Sequence, residues 1–146
     1  MSWKLITAVF AVCLIVFSVG FYRTHPLSST VTIGSTKFVI ELAVTPAEKT
    51  KGLSYRTSLL PEHGMLFPYD HKERFDFWMK GMQFPLDFIW IADTTVVDIT
   101  KNVQPPNESG MHVVHANVPV DKILEINAGE ADTFNIQIGD SVTFNK

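Results

Sequence analysis

The chain opens with one unbroken apolar stretch and then changes to short alternating ones. From Leu5 to Tyr22 eighteen residues pass without a charge. At about 1.5 Å rise per residue a helix over this run is about 27 Å long, close to the ~30 Å hydrocarbon core of a bilayer. Lys4 precedes the run and Arg23 follows it, with Trp3 and Tyr22 at its edges, an arrangement that keeps the N-terminus in the cytoplasm and exports the body. A cleavable signal is the competing reading, because Ser18-Val19-Gly20 offers small residues to a signal peptidase. The run exceeds the ~7–15 residues of a usual signal core, which favours an uncleaved anchor. Cys13, in the middle of the run, is a small apolar filler.

Residues 24–30 are polar, contain Pro26 and read as a linker. Val31 to Ile33, a Gly34-Ser35 turn and Lys37 to Val44 predict a hairpin, with Phe38, Ile40, Leu42 and Val44 as its apolar face. Thr45-Pro46-Ala47-Glu48 carries a capping residue, a proline at the first helical position and the acid of a capping box, so a short helix starts here and ends near Gly52. Leu53 to Met82 is dense in aromatics and methionine, and within it Phe75, Phe77 and Met79 alternate with polar neighbours as in a strand. Pro85 to Ile91 predicts a near-continuous apolar strand, followed by an Asp93-Thr94-Thr95 turn and a strand from Val96 to Thr100. Lys101 to Pro119 shows no period and reads as a long loop. Lys122 to Asn127 forms a strand, Gly129 to Phe134 a short helix, and Ile136 to Asp140 turns into a last strand over Ser141 to Phe144.

About seven short strands and two short helices place residues 31–146 in the α+β class, as a mostly β, compact, barrel-like antiparallel sheet, preceded by one transmembrane helix over residues 1–23. A length of 146 residues supports one such domain. Lys4 and Arg23 are the only charges in the first 25 residues, so the formal charge of -3 divides into +2 there and -5 on the body. An acidic body without a basic run gives no reason to expect nucleic acid as a partner. With 46% hydrophobic residues and a single Cys, neither disorder nor a disulfide scaffold fits.

Five blocks resemble one family in order and spacing. They are Thr45-Pro46-Ala47-Glu48 with Lys51-Gly52-Leu53 and Arg56, then Gly64-Met65-Leu66-Phe67, then Phe77-Trp78-Met79-Lys80 with Pro85-Leu86-Asp87. Ile123-Leu124-Glu125-Ile126-Asn127-Ala128-Gly129 and Ile138-Gly139-Asp140 close the series. Over residues 31–144 the chain is similar to the domain of unknown function 192 family of bacteria and archaea. The resemblance implies a small single barrel-like domain behind a signal or anchor, and it brings no activity and no catalytic residues. The chain departs from the family pattern at Gly81-Met82, where an Asn-Thr pair is usual, at Ser54, where Met is common, and at Lys51, where Arg is frequent.

Asp87 stands inside the apolar run Pro85 to Ile91, where a carboxylate must be paired, hydrogen-bonded or protonated. Arg56 and Lys80 are the cations expected beside it. Arg56, Trp78, Lys80 and Asp87 are therefore the candidate binding residues, with Lys101 to Val118 as a lid; the alternative is a structural ion pair. Met79, Met82, Met111, His112 and His115 have the donor types for copper, but their spacing is loose and the methionines read as core, so no metal and no cofactor is assigned. The body has no Cys and no nucleophile elbow. Asp70, Glu73 and Asp76 with Lys72 and Arg74 read as a solvated turn.

These features point to a membrane-anchored, extracytoplasmic, non-catalytic module, attached through residues 5–22, that binds a small molecule, peptide or envelope protein. The alternatives are an envelope hydrolase using Asp87 with Arg56 or Lys80, a structural interaction module, and, should the leader be cleaved, a secreted form of the domain.

Overall fold

A computed structural model of the chain describes residues 29–107 and 112–145. The apolar segment at residues 5–22 and the linker up to residue 28 lie outside them. Among the described residues no helix is long and apolar enough to cross a membrane.

The elements are β1 (Ser29–Ile33), β2 (Thr36–Leu42), α1 (Pro46–Lys51), β3 (His63–Glu73), β4 (Phe77–Trp78), β5 (Leu86–Ala92), β6 (Thr95–Val103), β7 (Val113–Val114), β8 (Val120–Asn127), α2 (Glu130–Thr133) and β9 (Val142–Asn145). Seven strands form one sheet in the order β6-β5-β8-β3-β2-β1-β9, and β4 with β7 makes a separate two-stranded ribbon. The outer strands meet at one corner, where Thr95 bridges Ser141, Val96 N donates to Asp140 O at 2.9 Å and Val142 N to Thr94 O at 2.8 Å. The sheet is thereby curled into a half-barrel.

Side chains of the central strands alternate between two cores. Leu66 of β3, Ile89 and Ile91 of β5, and Leu124 and Ile126 of β8 join Val31, Phe38 and Ile136 on one face. Met65 and Phe67, Phe88 and Trp90, and Ile123 occupy the other, beneath Leu53, Met79, Met82 and Phe77. Strands buried on both faces read as continuous apolar runs. Close approach of β3 and β8 requires a glycine at position 64, because a β-carbon there would lie 2.6 Å from the carbonyl oxygen of Glu125.

Several expectations are corrected. The sheet is mixed, since β2 and β3 pair in parallel while the other pairs are antiparallel. Segment 53–82 contains the 11-residue strand β3, whose end, Asp70 to Glu73, replaces the expected charged turn. The alternation from Phe75 to Met79 produces only the two paired residues of β4, because this segment crosses over the second core instead of joining the main sheet. Phe38 and Ile40 of β2 are buried, but Leu42 at its end and Val44 beyond it are 44% and 57% exposed. The chain turns toward α1 there, and Ala43, whose amide bonds to Leu66 O, takes the buried position instead. The expected loop at 101–119 begins inside β6 and contains β7.

Candidate functional site

Glu125 projects from the middle of β8, opposite Met65 of β3 and Phe88 of β5. Alternation places its carboxyl on the face carrying Phe67, Phe88 and Trp90. The residue is 5% exposed, and its Oε2 atom is buried with no hydrogen-bond partner. Burial pushes the carboxyl up to about 8, against the opposing pull of the Arg56 charge. The group is thus neutral at pH 7 and carries an O–H donor, since desolvation disfavours the charged form.

Helix α1 builds the wall above it. Thr45 Oγ1 accepts from Glu48 N at 3.2 Å, while Glu48 Oε2 accepts from Thr45 N at 2.8 Å and Val44 N at 2.9 Å, completing the capping box. The helix ends at Gly52, with φ 48°, where a β-carbon would sit 3.4 Å from Phe67 Cζ and 3.9 Å from Glu125 Oε2. These are ordinary contacts, so it is the left-handed φ that calls for glycine here. The result is a cavity of about 160 Å³ whose floor includes Glu125 and Phe67 and whose walls carry Lys49, Lys51, Tyr69 and Trp78. Lys49 Nζ donates to Pro68 O and lies 3.6 Å from the centre of the Tyr69 ring, which itself stacks on Phe75. Partial burial raises the Tyr69 phenol above its usual value.

The exit of α1 is tied to the segment carrying Trp78. Ser54 Oγ donates to Lys80 O at 2.6 Å and Tyr55 N to Gly81 O at 2.8 Å. Tyr55 adopts a left-handed φ of 66°, and Gly81 faces its ring so closely that a β-carbon would come within 3.1 Å. The ring is left 72% exposed beside Trp78. A wider groove, lined by Pro46, Ala47, Tyr55 and Lys80, adjoins the cavity and shares Thr50, Lys51, Ser54 and Trp78 with it.

Of the four residues selected from the sequence, Trp78 lines both the cavity and the groove, and Lys80 lines the groove. Arg56 makes a bidentate pair with Glu41, at 2.5 and 2.8 Å. This pair holds the Glu41 carboxyl below, and the Arg56 guanidinium above, their ordinary values. Asp87 is not part of the cluster. It projects to the opposite face of the sheet, with Ile89 and Ile91, and accepts from three backbone amides: Asn102 at 2.7 Å, Gly129 at 2.9 Å and Ala131 at 3.0 Å. The cations expected beside it are replaced by backbone N–H groups from segments distant along the chain. The expected lid is anchored through Val113 and Val114 of β7 on β4, and His112 O accepts from Met79 N. Residues 108–111, including Met111, lie outside the described residues. Met79 and Met82 are buried in the second core, and among the described residues no group of three His, Cys, Asp or Glu side chains could hold a metal.

Glu125 was not selected from the sequence, although the criterion applied to Asp87, an acid inside an apolar strand, also fits Ile123-Leu124-Glu125-Ile126.

Residues 29–144 match the model of the domain of unknown function 192 family, described as "Uncharacterized ACR". The chain belongs to that family. It is similar to a crystal structure from Sinorhizobium meliloti 1021 described as a "putative transcription regulator", with a TM-score of 0.74 and 32% identity over 80% of this chain and 92% of that one. It is also similar to a protein of unknown function from Novosphingobium aromaticivorans DSM 12444, with a TM-score of 0.71 and 37% identity over 82% of this chain and 89% of that one. No curated protein matches the chain.

Proposed function

We propose that this chain is a non-catalytic binding module for a small molecule, displayed on the extracytoplasmic side of a membrane behind its N-terminal apolar segment, and that the ligand enters the cleft over Glu125. The observation that carries this reading is the buried, unpartnered Oε2 atom of Glu125, a residue that lines a cavity together with Lys49, Lys51 and Trp78. Leaving such an atom unpaired costs about 1–3 kcal/mol, which a ligand group can recover. The few convergent polar groups set among aromatic rings are the usual make-up of a small-molecule site. Asp87, saturated by backbone amides, serves the fold, so the hydrolase reading loses the acid assigned to it. The regulator description belongs to the Sinorhizobium meliloti protein, and the acidic body of this chain does not favour DNA.

The test is a fragment screen by NMR on the full chain in detergent micelles. Binders that shift the Trp78 indole and the Glu125 carboxyl, and that are lost in Trp78→Ala, support the reading. Binders that shift only residues outside the cleft overturn it.

A further inference from the structure

We propose that the cleft is built for an organic acid: the ligand's carboxylate meets the Glu125 carboxyl in the cavity, and its apolar body lies along Trp78, Tyr55, Pro46 and Ala47 in the adjoining groove. This rests on the cleft being the ligand site. Charged and titratable side chains line the cavity together with Glu125. Helix α1 contributes Lys49 and Lys51, β3 the Tyr69 phenol, and the segment before β4 the exposed Asp76. The Arg56 charge also acts on Glu125, but it is paired with Glu41 of β2. With Glu125 and Tyr69 uncharged, two ammonium groups oppose one carboxylate, and the cavity favours an anion. A protonated carboxyl donates to a carboxylate in a short charge-assisted hydrogen bond and gives Oε2 a partner. A ligand ammonium would instead require Glu125 to ionise in a buried site and would meet Lys49 and Lys51.

Four shared residues set the cavity and the groove side by side, so a charged head and an apolar tail can occupy neighbouring spaces. Tyr55, whose amide bonds to Gly81 O, and Trp78 both line the groove and are both exposed. A carboxylate of this kind is carried by a free organic acid or by a peptide C-terminus.

The experiment measures binding of 3-phenylpropionate, 3-phenylpropionamide and phenethylammonium to the full chain in micelles, by NMR shifts at Trp78 and Glu125, from pH 6 to 9.5. Binding of the acid requires the Glu125 proton, so its Kd is expected to stay level at low pH and to rise about tenfold per pH unit above the Glu125 pKa. In Glu125→Gln, whose amide also donates, binding persists and this pH dependence disappears. N-acetylphenylalanine binding more tightly than 3-phenylpropionate identifies a peptide C-terminus as the source, and the reverse order a free acid; either supports the carboxylate chemistry. An acid affinity that is constant or increases with pH overturns the proposal. If the amide or the ammonium shifts Glu125 and the acid does not, the cleft remains a ligand site and only the ligand class falls. If none of the three shifts Trp78 or Glu125, the reading of the cleft as the site falls as well.

Discussion

Asp87 of β5 and Ala131 of α2, 44 positions apart in the chain, are joined by a 3.0 Å hydrogen bond from the Ala131 amide to Oδ2. The same oxygen accepts from Gly129 N, and Oδ1 accepts from Asn102 N. Gly129 has no side chain with which to cap α2, so a carboxylate from a distant strand does it. Asp87→Ala leaves three amides unpaired and is expected to lower stability by about 3 kcal/mol or more, with Asp87→Asn costing less because one acceptor oxygen remains. Urea unfolding of the full chain measures both; a loss below about 1 kcal/mol for alanine would contradict the assignment.

Glu125 makes stability depend on pH in the direction opposite to a paired carboxylate. Its folded pKa of about 8 lies above the ordinary value of 4.5, so between these values the folded state holds a proton that the unfolded state has released. Stability therefore falls as pH rises through this window, by on the order of 1 kcal/mol per unit, and levels off once the group is ionised in both states. Glu125→Gln should remove this slope and unfold at higher urea than wild type at pH 8. Equal slopes in the two proteins would show that Glu125 is not the group responsible.

Arg56 pulls the Glu125 carboxyl down from where burial alone would hold it. Replacing it with methionine, Arg56→Met, should raise the Glu125 titration midpoint further and return the Glu41 carboxyl toward its ordinary value. Side-chain carbon shifts followed across pH report both groups. A Glu125 midpoint that moves down in this variant would reverse the assigned sign.

Two glycines separate steric from conformational requirements. At Gly64 an added β-carbon meets backbone oxygen at 2.6 Å, and that atom is fixed in the β8 ladder. At Gly34, in the β1–β2 turn with φ 58°, nothing lies within 4 Å of the added carbon. Gly64→Ala should therefore cost about 3 kcal/mol or more, and Gly34→Ala only the ~1–2 kcal/mol of a left-handed alanine. Unfolding midpoints that rank them the other way would refute the close packing of β3 on β8.

Features encoded by neighbouring residues were legible before any tertiary structure. The Thr45-to-Glu48 capping box, the β1–β2 hairpin with its Gly34 turn, the double-faced strand β5 and the short helix after Gly129 all stand where their local patterns predict. The central strand β3 was hidden for a physical reason. Gly64-Met65-Leu66-Phe67 is covered on both faces and has no alternation, and the polar run that follows is the exposed end of the same strand.

The amino-acid order alone determined the family, the mostly β class and the two acids that apolar strands had to accommodate. Only the folded sheet decided their fates, because adjacent strands carry Asp87 to one face and Glu125 to the other. Backbone amides from strand β6, a turn and a helix reach the first, and no protein donor reaches Oε2 of the second. Which side of a strand a residue occupies follows from local pattern; what waits there depends on segments tens of residues away, and that is settled by packing.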